Sequence, residues 1–110
     1  TSLEVAMIAL AEPVSDLDEV NARISAAAPD LRALGVEALT VFGSFACGTQ
    51  TAFSDVDFIV EPRPRTFRDL IEIEDCLGDL MMRKVDVLTP KAVKPYLRKE
   101  VERSGRRIVL

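Results

Sequence analysis

The sequence predicts an α/β domain, of the α+β kind in the broader sense: a small mixed β-sheet covered by helices. Three observations carry that expectation. Short apolar strands near 38–42, 55–61 and 84–88 alternate with longer segments whose apolar residues recur at helical spacing. Glycines, prolines and N-cap residues punctuate the boundaries. The chain has 110 residues, enough for one core and too few for a second folded unit of ordinary size. Residues 1–14 read as an N-terminal arm and 15–110 as the single domain.

Along the domain, Ser15 followed by Asp18 is an N-cap signal for a helix with Leu17, Val20, Ile24 and Ala27 on one face. Pro29 is incompatible with a helix interior, so this helix ends near Ala27, a shorter turn follows over 30–34, and Gly35 supplies a left-handed cap. Ala38 to Phe42 is the first strand. The Asp55 strand ends at Glu61-Pro62-Arg63-Pro64, because prolines stop a central strand. Thr66 with Asp69 caps a helix running to about Leu80, apolar on one face only, which therefore covers the sheet. Lys84 to Leu88 is a third strand, with Val85 and Val87 facing one way and Lys84, Asp86 and Leu88 the other. Ala92 to about Ser104 reads as a final helix, Gly105 caps it, and Arg106 to Leu110 adds a short edge strand.

Composition excludes several function classes. Apolar residues make up 48% of the chain, yet no apolar run approaches the roughly 18 residues that cross a bilayer. Met7 to Ala11 lacks the basic flank and length of a secretory signal. A cytoplasmic protein without a membrane partner is expected. Histidine is absent and the only cysteines are Cys47 and Cys76, so no Cys/His zinc site or His-based catalytic pair can be assembled. Both cysteines read as small buried or half-buried side chains. The net charge of −4 argues against direct nucleic-acid binding, but residues 91–110 hold 7 basic and 2 acidic side chains, a cationic tail suited to an acidic partner or a solvated helix face.

The candidate chemistry lies in the centre. Gly43-Ser44 follows the first strand, ten residues intervene from Phe45 to Ser54, and Asp55-Val56-Asp57 opens the second. Gly43 lets the backbone turn, and a helical turn starting after it aims free amides and the Ser44 hydroxyl at a phosphate. Asp55 and Asp57 share one face of an extended strand, while Val56, Phe58 and Val60 build core on the other. An Asp-x-Asp pair alone also fits an ordinary turn. Asp86 is the stronger signal, since an ionised group between two valines needs a partner or a cation. If the third strand lies beside the second, Asp86 joins the pair, and oxygen-only ligands favour Mg²⁺ or Mn²⁺.

Gly43-Ser44, ten residues and Asp55-x-Asp57, with Asp86 downstream, resemble the signature of the DNA polymerase beta-like nucleotidyltransferase superfamily. The short length points to its minimal nucleotidyltransferases, the MNT antitoxins. The resemblance runs from about Leu31 to the C-terminus. It implies the nucleotidyltransferase fold, ATP as substrate, Asp55, Asp57 and Asp86 as metal ligands and catalytic residues, and Gly43, Ser44 and Ser54 as the nucleotide-binding set. It further implies AMP transfer to a protein hydroxyl, a tyrosine of a HEPN-type ribonuclease toxin. The alternatives are an antitoxin acting by binding alone and a small-molecule nucleotidyltransferase completed by a second subunit, so a homo-oligomer stays open. This chain departs from the pattern at Cys47, where many members of the superfamily carry arginine. Lys84, Arg63, Arg65 and Arg83 are the substitutes considered for that cation.

Overall fold

The computed structural model describes residues 12–110; the N-terminal arm as far as residue 11 lies outside them. The arm's last residue, Val14, belongs to the body: it is fully buried and its N–H donates to the Met81 carbonyl. The elements run in the order α1 (Leu17–Ala26), α2 (Ala28–Ala33), β1 (Ala38–Phe42), α3 (Ser44–Cys47), β2 (Val56–Glu61), α4 (Phe67–Met81), β3 (Val85–Leu88) and a 3₁₀ turn (Pro90–Ala92). Helix α5 (Pro95–Ser104) and β4 (Arg106–Val109) complete the fold. The four strands form one mixed sheet in the order β3-β2-β1-β4, with β1 antiparallel to β2 and β4, and β2 parallel to β3.

Strand alternation decides the two faces. Leu39, Val41, Val56, Phe58, Val60, Val85 and Val87 point to the face covered by α1, α2 and α4, where Val20, Ile24, Leu31, Ile73, Leu77 and Met81 close the main core. Phe42, Ile59 and Leu88 point the other way and meet Val93, Leu97 and Val101 from the segment after β3 and from α5. Helix α4 starts as the sequence predicts, with the Thr66 hydroxyl accepting from the Asp69 N–H at 3.1 Å. Buried Arg23 needs several acceptors, and its guanidinium finds them in the carbonyls of Leu80, Met81 and Glu12, tying α1 to the end of α4. Among the described residues no helix is long and apolar enough to cross a membrane.

Four expectations need correction. The first helix is capped by Asp16, whose carboxylate accepts from the Glu19 N–H, whereas Ser15 uses its own N–H to bond the Glu19 carboxylate. An acidic cap offers the stronger acceptor. Pro29 opens α2 rather than preceding it, because a proline in the first turn loses no intrahelical bond. The last helix begins at Pro95, not Ala92: Pro90 starts a separate 3₁₀ turn, and Lys94, ahead of a proline, is extended. Cys47 is exposed at the end of α3, while Cys76 is half-buried as expected.

Candidate active site

Parallel pairing of β2 with β3 sets Asp57 directly opposite Asp86, and the antiparallel β1 brings Phe42 opposite Asp57 on the other side. The Gly43 corner is thereby placed at the Asp57 carboxyl. Gly43 has φ 74° and ψ −150°, a conformation open to glycine, and a Cβ there would collide with Asp57 Oδ2. The backbone and one carboxylate are packed so closely that no side chain fits between them. Helix α3 starts at Ser44 immediately after the corner and buries only Phe45.

The two carboxylates line an open cleft of about 360 Å³ together with Phe42, Gly43, Glu74, Val87, Leu88, Leu97 and Glu100. Burial raises the Asp57 pKa to about 6, helped by the charges of Asp86 and Asp55, a hydrogen bond with Asp86 and the more distant Glu100. Asp86 is exposed and Asp55, one residue ahead of β2, is half-exposed. The Asp55 carboxylate has the Lys84 ammonium at 4.0 Å. Among the described residues, no three His, Cys, Asp or Glu side chains converge on a single metal position. The pair is what the fold preassembles.

That pair suits Mg²⁺, which takes near-octahedral oxygen coordination through one or two carboxylates, leaving positions for water and substrate phosphates. The donors are oxygen only, and the raised Asp57 pKa marks a site where added positive charge is favoured.

Other residues named from sequence fall elsewhere. The Ser54 hydroxyl accepts from the Thr51 N–H at 2.8 Å and so closes the turn before β2. Arg83 acts as a structural clamp through its Nε and Nη1. Its guanidinium donates to the carbonyls of Val14, Thr51, Ala52 and Ser54 and lies over the Phe45 ring at 5.3 Å. Arg63 and Arg65 line a different cleft with Ala33, Gly35 and Glu37, beyond the end of β2 remote from Asp57. Sequence reasoning missed Glu74 and Glu100, because lone acids on exposed helices look like solvated faces. The signal was present in α5, where Glu100 lies three residues from the apolar Leu97 and so shares its side of the helix.

The profile of the family described as nucleotidyltransferase domain matches residues 24–108. A candidate protein adenylyltransferase of Methanocaldococcus jannaschii is 38% identical over 69 residues, covering 61% of this chain and 70% of that protein. Among solved structures, a candidate minimal nucleotidyltransferase superposes with a TM-score of 0.65 at 29% identity, covering 84% of this chain and 95% of the other. A tri-AMPylated HEPN toxin of Shewanella oneidensis in complex with an MNT antitoxin superposes at 0.57 and 16% identity, covering 80% and 70%, a likeness of fold alone.

Proposed function

Because this chain belongs to the nucleotidyltransferase-domain family, we propose that it moves AMP from ATP to a protein hydroxyl, and that the acceptor is a tyrosine of a HEPN-type toxin which it silences as antitoxin. The observation that carries the reading is the registered pair Asp57 and Asp86 beside a corner that admits only glycine. The relative related to protein adenylyltransferases and the fold shared with an MNT antitoxin complex support the acceptor class.

In this reading Asp57 and Asp86 would hold Mg²⁺, with the Asp55 charge nearby, and the ion when bound would offset charge on the triphosphate and the attacking oxygen. Gly43 and the start of α3 carry the triphosphate, and Ser44 offers its hydroxyl. Asp86, exposed at the cleft mouth, takes the proton of the acceptor hydroxyl. The acceptor oxygen forms a bond to the α-phosphorus, the bond from that phosphorus to the bridging oxygen breaks, and pyrophosphate leaves. Leu88, Leu97 and Phe42 give the cleft an apolar wall against which an uncharged part of the substrate packs.

Co-expression with the cognate toxin, followed by intact-mass measurement, tests the proposal. The toxin gains one or more AMP masses with the wild type and none with Asp57→Asn. A second reading, neutralisation by binding alone, is favoured by one observation: among the described residues no Lys or Arg lines the cleft. Under it, the toxin stays silent with the Asn variant and gains no mass with either protein.

A further inference from the structure

Among the described residues, four carboxylates and no cation line the cleft, so a triphosphate entering it meets walls of its own sign. Mg²⁺ at the Asp57–Asp86 pair would offset part of that charge. Phosphate oxygens beyond it also accept strong charge-assisted hydrogen bonds from a protein cation. Arg83 is held at its Nε and Nη1 by backbone carbonyls, Lys84 faces Asp55, and Arg63 with Arg65 lines a remote cleft.

Helix α5 supplies a candidate. Its Glu100 lines the cleft, and its last residue, Ser104, touches the Gly43 corner's helix through a contact of 3.4 Å between its hydroxyl and Cys47 Sγ. The C-terminal turn of α5 thereby meets α3, the helix that leaves the Gly43 corner. Arg103 lies three residues after Glu100, hence next to it on the helix surface, and immediately before Ser104. It is exposed, and among the described residues it has no hydrogen-bond or ion-pair partner within the usual distances. Arg106 is a poorer choice, because its backbone pairs with Val41 and its side chain leaves the sheet on the face opposite Thr40, Phe42 and Asp57.

We propose that Arg103 is the cation that binds the outer phosphates of ATP. The inference rests on the reading of the cleft as a nucleotide site and makes the C-terminal helix part of that site. The basic tail then has a use beyond a solvated face.

Calorimetric titration of the full chain with AMP-PNP and with AMP, both in Mg²⁺, tests the assignment. Arg103→Gln is expected to weaken AMP-PNP by about tenfold and AMP by less than about twofold, with partial recovery in Arg103→Lys. Arg106→Gln serves as the comparison and binds both as the wild type does. An unchanged AMP-PNP affinity in Arg103→Gln, an equal loss for AMP, or a larger loss in Arg106→Gln overturns the assignment while leaving the nucleotide site standing. A wild-type protein that binds neither nucleotide overturns both together.

Discussion

Replacing Asp57 by Asn should make the metal-free protein more stable near neutral pH, even though it removes a residue of the site. The Asp57 pKa rises from 3.8 to about 6 on folding. A carboxyl raised in this way contributes stability that is present below the unfolded value and lost as pH climbs through the folded one. At about 1.4 kcal/mol per pH unit, the shift caps the penalty at about 3 kcal/mol. The carboxyl is half-exposed, and solvent screening brings that to about 1 kcal/mol. Asparagine keeps the shape beside Gly43 and carries no charge. For a domain of this size the gain corresponds to a melting temperature higher by about 5 °C. Thermal unfolding of both proteins by circular dichroism, in chelator, gives the test. Their melting temperatures should coincide near pH 4, separate between about pH 4 and 6, and stay apart above. Saturating Mg²⁺ should close the gap by stabilising the wild type alone. A pH-independent difference, or an Asn variant less stable near pH 7, refutes the electrostatic account of the pair.

Gly43→Ala should cost about 1 to 3 kcal/mol in urea unfolding, since the new Cβ meets Asp57 Oδ2 at a backbone angle alanine rarely adopts, and nucleotide affinity should fall with it. Arg83→Met should lower stability by about 2 to 3 kcal/mol, as four backbone carbonyls lose their shared donor; an equally strong effect on AMP-PNP affinity without loss of stability would contradict its structural role. Thr66→Ala should cost about 1 kcal/mol through the lost cap of α4, read as a shift in the denaturation midpoint at unchanged slope.

Local signals made most elements legible. Thr66, Gly35 and the alternating valines of β2 and β3 each act within a few residues, and the structure keeps them where their chemistry puts them. Pro95 was an equally local signal, and its pull on Lys94 shortens the last helix. What a single sequence withholds is long range. The Asp57 to Asp86 pairing depends on a parallel register across 29 residues of chain, although the carboxylates themselves were recognisable one by one. Glu74 and Glu100 enter the cleft from two helices whose placement only packing decides. Arg83 looked like a free cation because nothing in the sequence says that four carbonyls surround it.

Position-specific label transfer tests the central claim most directly. The protein is incubated with its cognate toxin, Mg²⁺ and ATP labelled at either the α or the γ phosphate, with Asp57→Asn alongside. The account predicts a toxin band labelled from the α position only and lost in the variant. A band from the γ position, or none from either label with folded protein and toxin present, contradicts nucleotidyl transfer.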